Sequence, residues 1–237
     1  MIVLRSFLVF LAVFYVTEGL NIQCSYSIRE VWMFPYLYTC EGQTIMNGSY
    51  NDFAPYFIEE VSQNHIGDKS DKSVKALLIE NSKIKFLPKN IGQFFYNLES
   101  LSVIDCDILE LNREDFVGLP NLLQIDFRGN KIDRLPWRVF EEVPKLQVIG
   151  LAWNPMKYIA HHVFDHLIDL ETLDMFGTDR CYNKKFKQNK SAIASELYEI
   201  FRQCPPTIEM MIVELGYDDL VKKVNQCVKK LDEISTQ

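Results

Sequence analysis

Apolar residues recur through the middle of the chain in five consecutive segments of equal length. Each segment opens with leucine or valine, and successive openings lie 24 residues apart. The fourth and sixth positions of every segment are apolar, and so are the eleventh and fourteenth positions of the first four. Because chance does not keep one period through five segments, the segments are structural repeats. The five openings are Val74, Leu98, Leu122, Leu146 and Leu170.

The spacing within each repeat predicts how it folds. Positions four and six alternate like the inward-facing residues of a short strand, which leaves position five facing outward. One repeat cannot bury its apolar face alone, so neighbouring repeats must stack. The sequence L-x-x-L-x-L-x-x-N/C-x-L is the leucine-rich-repeat pattern. It predicts an α/β fold: a curved leucine-rich-repeat solenoid with a parallel sheet on its concave face, an N-terminal disulfide hairpin cap and a C-terminal helical cap.

The ninth position of the repeat needs a side chain that can bond to buried turn backbone. Asn130 and Asn154 supply an amide there, and Cys106 occupies the same position. Cys106 is either a disulfide partner or reactive thiol, or a buried substitute for the asparagine. We favour the buried substitute, because the consensus itself allows cysteine and buried free cysteine packs as a small apolar residue.

The first nineteen residues have the composition of an export signal. Residues 1–5 carry one positive charge, residues 7–16 are wholly apolar, and Gly19 ends a cleavage motif. A membrane anchor is the alternative, but a spanning helix needs about 20 apolar residues. We therefore expect a secreted, extracellular protein. Its expected parts are a signal peptide (1–19), an N-terminal cap (20–73), five repeats (74–180) and a C-terminal helical cap (181–237).

Six cysteines in an exported chain are disulfide candidates, because the extracellular compartment is oxidising. Residues 22–26 and 36–40 are two strand-like runs that predict a hairpin with Trp32 near its bend. Cys24 and Cys40 would link the two strands of this hairpin.

The C-terminal region contains three more cysteines, and the sequence leaves their pairing open. Cys181 and Cys204 flank the cap and are the favoured pair. Cys227 lies on a line of apolar residues spaced three and four apart, from Tyr217 to Ile234. This line either docks the last helix on the cap or forms a short coiled-coil seam, in which Cys227 would link two copies as a homodimer.

Composition and motifs argue for binding over catalysis. Asp and Glu number 32 against 25 Lys and Arg, and this acidic balance argues against nucleic acid as a partner. His162 and His166 have helical metal-ligand spacing, but a solvated convex face explains them better. No catalytic, metal or cofactor motif is present, so we expect no enzyme and no cofactor. Two sequons, at Asn47 and Asn189, predict a glycoprotein where they are occupied.

The candidate binding surface is the concave face, where positions two, three, five, seven and eight of each repeat point outward. A tryptophan and an arginine among charged neighbours suit a protein ligand. Trp153 is either an exposed anchor or half-buried against the next repeat. A standard interface buries about 800 Å² per partner, more than this strip offers, so a partner must also touch a cap or loops. The candidate residues are Ile104, Asp126, Arg128, Trp153, Asp174 and Phe176.

Three features together resemble the short secreted leucine-rich-repeat proteins of insects, particularly flies and mosquitoes. They are the N-terminal module from Cys24 to Cys40, the 24-residue repeats with L-P-x-x-x-F, and the cap containing Cys181 and Cys204. Some longer mosquito relatives act in innate immunity as disulfide-linked complexes with coiled coils, and this chain lacks their long coiled coil. The resemblance implies a secreted recognition factor for a protein or glycan. The alternative is a matrix or assembly component that oligomerises through its last helix and Cys227.

Overall fold

The structure is a computed structural model that describes residues 18–47, 56–61, 64–178 and 181–216. It contains eleven strands and three helices within these ranges. Short 3₁₀ turns at Asp71–Ser73 and Arg113–Phe116 accompany them. In chain order the elements are β1 (Glu18–Val31), β2 (Phe34–Asn47), β3 (Tyr56–Val61), β4 (Ala76–Glu80), α1 (Ile91–Phe94), β5 (Ser100–Ile104), β6 (Gln124–Asp126), β7 (Arg134–Leu135), β8 (Val148–Gly150), β9 (Tyr158–Ile159), β10 (Thr172–Asp174), β11 (Lys185–Phe186), α2 (Lys190–Gln203) and α3 (Ile208–Leu215).

The repeats stack as one parallel sheet. The strand order is β11-β10-β8-β6-β5-β4-β2-β1-β3, so one strand from each repeat follows the next. The register equals the sequence period, because the fourth position of each repeat pairs with the fourth position of its neighbour. This series runs through Leu77, Leu101, Ile125, Ile149 and Leu173. The predicted solenoid with its parallel sheet is confirmed.

A column of phenylalanine side chains fills the interior behind the sheet. Phe116 and Phe140 have ring centroids 5.8 Å apart, and Phe140 and Phe164 are 6.3 Å apart. These residues occupy the nineteenth position of three consecutive repeats, so the 24-residue period places them one above the other. Phe140 is completely buried. The core is therefore continuous from repeat to repeat, as stacking requires.

A second column, of polar side chains, bonds the turns that follow the strands. The Oδ1 atom of Asn154 accepts a hydrogen bond from the backbone of Ile132 at 3.0 Å, and its Nδ2 atom donates to the Phe127 and Leu151 carbonyls at 2.8 and 3.0 Å. Asn130 repeats this arrangement one turn earlier. These amides satisfy backbone groups that stacking removes from water.

Cys106 continues the same column with a thiol. It is buried and unpaired, and its Sγ atom accepts a hydrogen bond from the Ser82 backbone at 3.4 Å and donates to the Ile104 carbonyl at 3.3 Å. The cysteine therefore takes the place of the asparagine amide in its repeat, which agrees with the buried substitute favoured from the sequence.

Burial keeps the Cys106 thiol protonated. Desolvation, with a smaller contribution from Asp105, raises its pKa to about 11 from an ordinary value of 9.0. Between these two values the unfolded chain loses a proton that the folded chain retains, so stability falls as pH rises through this window. We expect wild type to lose roughly 2 kcal/mol more than Cys106→Ala between about pH 8 and about pH 11. Urea denaturation at the two pH values measures the difference. Equal losses in both proteins would show that the thiol is not the source.

The N-terminal hairpin extends the sheet. β1 and β2 are antiparallel, and the structure joins them through a disulfide between Cys24 and Cys40. β2 then pairs in parallel with β4, so the hairpin continues the row of repeat strands and covers its first edge. Trp32 and Met33 form the turn at the tip of the hairpin. The cap is therefore part of the sheet as well as its end.

The C-terminal cap covers the other end. β11 pairs antiparallel with β10, and Cys181 forms a disulfide with Cys204 across the intervening helix α2. Ile193 and Ile200 are the buried residues of this helix, whose end precedes two prolines. Asn189 is exposed and caps α2 by accepting a hydrogen bond from Ala192 at 2.9 Å. A sugar at this position would point into solvent.

Several predictions from the sequence fall outside the described residues. They concern signal residues 1–17, the side chain of Asn47 with the rest of its sequon, and Cys227 with the C-terminal segment 217–237. Among the residues that are described, none of the helices is long and apolar enough to cross a bilayer.

Candidate recognition surface

The tip of the N-terminal hairpin lies over the concave face. The Trp32 ring is so close to β8 that a Cβ atom added to Gly150 would lie 2.8 Å from it. The Met33 backbone donates to the side chain of Gln124 on β6 at 3.2 Å. Two cations flank the same indole, with the Arg128 guanidinium 5.1 Å and the Lys185 ammonium 5.6 Å from its centroid. The hairpin therefore covers part of the face that the sequence predicted to be open.

Two predicted ligand-binding carboxylates hold these cations in place. Asp126 is 1% exposed, and its carboxylate accepts two parallel hydrogen bonds from Arg128, at 2.8 Å from Nε and 2.7 Å from Nη2. Burial raises the pKa of Asp126, and Arg128 opposes this rise. Asp174 is buried as well and bonds to the Lys185 ammonium. Both carboxylates thus orient a cation toward Trp32, and neither lies open to a ligand.

The eighth position of all five repeats adopts the left-handed backbone conformation. The φ angles lie between 51° and 77°. Asparagine, aspartate and glycine tolerate this region, whereas a bulky side chain there is an outlier. Four of the five repeats have one of the tolerant residues, and Trp153 is the exception. The set is Asn81, Asp105, Gly129, Trp153 and Gly177.

Trp153 forms an exposed aromatic pair with Phe176. Their ring centroids are 5.4 Å apart in an edge-to-face arrangement, and the two side chains are 62% and 50% exposed. The Trp153 ring lies against Gly177, where an added Cβ would be 2.5 Å from it. Of the two alternatives that the sequence left open for Trp153, the structure therefore shows the exposed one. We call Trp153 and Phe176 the aromatic pair.

The six predicted site residues therefore separate into three groups. Trp153 and Phe176 are exposed, and the Asp126–Arg128 ion pair is covered by the hairpin together with half-buried Ile104. Asp174 is occupied by Lys185. Sequence reasoning missed Trp32 and Lys185 as members of this surface. The sequence predicted Trp32 near the bend of the hairpin. It did not indicate that the tip of the hairpin lies over the repeats.

A cleft remains between the hairpin and the concave face. Residues 29–32 form its roof, and its volume is about 180 Å³. We call it the hairpin cleft. Its floor and wall are Leu78, Glu80, Ser102, Ile104 and the Asp126–Arg128 pair.

The histidines near the convex side have separate contacts. His162 bonds to Asp165 at 2.6 Å, whereas His166 lies 3.1 Å from the Phe140 carbonyl. His161 lies 3.4 Å from Glu214. Within the described ranges, no three His, Cys, Asp or Glu side chains are grouped as a metal site would require. Each of the three histidines thus contacts a different group.

Comparison with known proteins agrees with the architecture. Residues 96–156 match the family model described as leucine rich repeat. The fold is a leucine-rich-repeat solenoid. The match covers the second and third repeats and the first half of the fourth. The same strand register extends through all five repeats.

Curated relatives resemble only part of the solenoid. Human leucine-rich repeat-containing protein 66 is 32% identical over 101 residues, which are 40% of this chain and 11% of that protein. Mouse Toll-like receptor 13 is 37% identical over 65 residues, 27% of this chain and 7% of the receptor. Mouse transforming growth factor beta activator LRRC32 is 28% identical over 106 residues, 43% of this chain and 16% of that protein. The chain thus aligns with less than a fifth of each of these relatives.

Solved structures show the same partial likeness. The complex of TLR13 with ssRNA13 has a TM-score of 0.45 at 24% identity, covering 54% of this chain and 18% of the receptor chain. The Toll–Spatzle complex from Drosophila has a TM-score of 0.44 at 20% identity, covering 53% of this chain and 17% of that chain.

Proposed function

We propose that the chain is an extracellular recognition protein without enzymatic activity, and that it binds a protein ligand through the aromatic pair and the adjoining hairpin. The observation that carries the proposal is Trp153 in the left-handed conformation. Such a conformation costs about 1–2 kcal/mol for a residue with a side chain. Costs of this kind concentrate at functional sites. An exposed tryptophan that contributes little to the core and strains the backbone is expected where binding uses it.

The character of the aromatic pair fits a protein interface. Tryptophan is enriched among the residues that dominate protein binding, and the edge-to-face contact with Phe176 fixes its ring before a partner arrives. A fixed ring loses less conformational entropy on binding than a mobile one.

The hairpin supplies the area that the short strands lack. Tyr36 lies near the tip, as the third residue of β2, and is 69% exposed. A partner that touches both the aromatic pair and the hairpin tip contacts segments that are far apart in the sequence. This extended contact brings the surface toward the roughly 800 Å² per partner of a stable interface.

Two disulfides support an extracellular location, because such bonds persist in oxidising compartments. A role in innate immunity is supported by the resemblance to secreted insect repeat proteins. Relatives named as a receptor and as an activator of a growth factor also agree with binding in place of catalysis.

Capture of a partner tests the proposal. We expect the immobilised full chain to retain a protein from extracellular fluid of its own organism, and Trp153→Asn to retain about tenfold less because the anchor is lost. Asparagine suits the backbone, since Asn81 occupies the equivalent position. The matched control is Tyr198→Asn, which removes an aromatic ring 78% exposed on α2. Equal retention by wild type and Trp153→Asn, or equal losses in both variants, would refute the assignment of the surface.

A further inference from the structure

The hairpin cleft carries an excess of negative charge. Its two arginines already have partners, because Arg29 pairs with Glu41 at 2.9 Å and Arg128 pairs with Asp126 at 2.7 Å. Glu30 and Glu80 also line the cleft, and neither forms an ion pair with any residue that the structure describes. Four carboxylates, Glu41 included, therefore face two guanidinium groups, and the net charge is −2. A cationic guest would be attracted.

A buried hydroxyl group in the floor of the cleft lacks a partner. Ser102 is 1% exposed, and its Oγ atom has no hydrogen-bond partner among the described parts of the chain. A buried polar group without a partner costs about 1–3 kcal/mol. Ser102 lines the cleft from β5, so a donor that enters the cleft from the open side can supply the missing bond. This position points to a ligand independently of the charge.

The electrostatic potential is also negative in the turn beside the cleft. Besides burial, the carboxylates of Asp105, Asp107 and Glu80 each help to raise the pKa of Cys106, which lies behind β5. A rise from these groups means that negative charge near the thiol disfavours the thiolate. The negative charge of the cleft therefore continues into the turns of the first two repeats.

The volume of the cleft limits the guest to one side chain. Small-molecule sites measure about 300–1,000 Å³, whereas this cleft measures about 180 Å³. A chain of methylene groups can lie along Leu78 and Ile104 while its charged end reaches the acceptors. An ammonium group has three donors and no acceptor, and the cleft offers three unoccupied acceptor groups in Glu30, Glu80 and Ser102.

We propose that the hairpin cleft receives a lysine side chain of the protein partner, with its ammonium donating to Glu30, Glu80 and Ser102. This inference rests on the proposed function and adds the chemistry of one contact to it. The aromatic pair then supplies an apolar anchor, and the cleft selects partners that present a lysine at a fixed distance from that anchor. Lysine suits the site better than arginine, because three separate acceptor groups match the three donors of a compact ammonium.

A small probe tests the cleft without the natural partner. The probe is N-acetyl-lysine methylamide, added to the ¹⁵N-labelled full chain and followed by amide chemical shifts. We expect shifts at Glu80, Ser102 and Ile104, and none with the probe acetylated on Nε, which has lost its charge. Glu80→Gln should weaken binding about fivefold, the scale of one exposed ion pair. Ser102→Ala should weaken it about threefold and leave the fold intact, because the hydroxyl bonds to nothing described.

The matched control is Glu114→Gln, which removes an exposed carboxylate from the 3₁₀ turn on the convex side. It should bind the probe as wild type does. Equal binding of the Nε-acetylated probe, equal weakening by Glu114→Gln, or shifts spread over the acidic surface would overturn the proposal. Tighter binding of N-acetyl-arginine methylamide would overturn the choice of lysine. If the probe fails while partner capture still depends on Trp153, the lysine contact is wrong and the proposed function stands.

Discussion

Replacing Phe140 with alanine should lower the free energy of unfolding by about 4 kcal/mol, which is typical of a fully buried phenylalanine. Its ring packs against Phe116 on one side and Phe164 on the other, at centroid distances of 5.8 and 6.3 Å. Alanine would leave a cavity between two repeats, and neither neighbouring ring can fill it without leaving its own contacts. Urea denaturation followed by circular dichroism measures the loss.

The matched control for Phe140 is Tyr96→Ala, which removes an aromatic side chain that is 54% exposed. It should cost less than about 1 kcal/mol, as surface substitutions do. A loss at Phe140 no greater than the loss at Tyr96 would mean that the phenylalanine column does not hold the repeats together.

Replacing Asn154 with leucine should cost about 3 kcal/mol, although the two side chains are similar in size. The backbone N–H of Ile132 would lose its acceptor, and the Leu151 carbonyl would lose the donor 3.0 Å away. Both groups are buried, and each unsatisfied group costs about 1–3 kcal/mol. The effect comes from hydrogen bonding and not from volume, so it separates the polar column from the apolar core.

Asn64→Leu is the control for Asn154, since Asn64 is exposed in the loop before the first repeat. Its free energy of unfolding should stay within about 0.5 kcal/mol of wild type. If Asn154→Leu were as stable as Asn64→Leu, the turns would not depend on the asparagine column.

The fold was predictable because its cause is periodic. Leu101, Ile125 and Ile149 share one position in the repeat, so one period fixes their strands, their register and their burial together. The two cap disulfides were also accessible, because each joins cysteines less than 25 residues apart in the chain. A pairing over so short a separation can be predicted from the local sequence.

The candidate site was only partly predictable, because its form depends on contacts between distant segments. Trp32 lies 118 residues before Gly150 in the sequence (150 − 32) and reaches it through the direction of the hairpin, which no periodicity encodes. The same contact covers Arg128 and encloses the cleft. Position five faces the concave side, as predicted. Facing that side did not make its side chains accessible to solvent. Asp126 and Asp174 bond to basic neighbours on that face and are buried there.

Trp153 could have been recognised from the repeat alignment alone. The eighth position has Asn, Asp or Gly in the other four repeats, and these are the residues that tolerate a positive φ. The residue types at the eighth position therefore indicate its backbone conformation. They also identify Trp153 as the one residue that does not suit this conformation.

The most direct measurement pairs affinity with stability in the single variant Trp153→Asn. Titration calorimetry with the captured partner should show affinity at least about tenfold weaker than that of wild type. Urea denaturation should show a free energy of unfolding no lower than wild type, because asparagine relieves the backbone strain. Unchanged affinity, or a loss of stability above about 1 kcal/mol, would contradict a tryptophan kept for binding and show one kept for the fold.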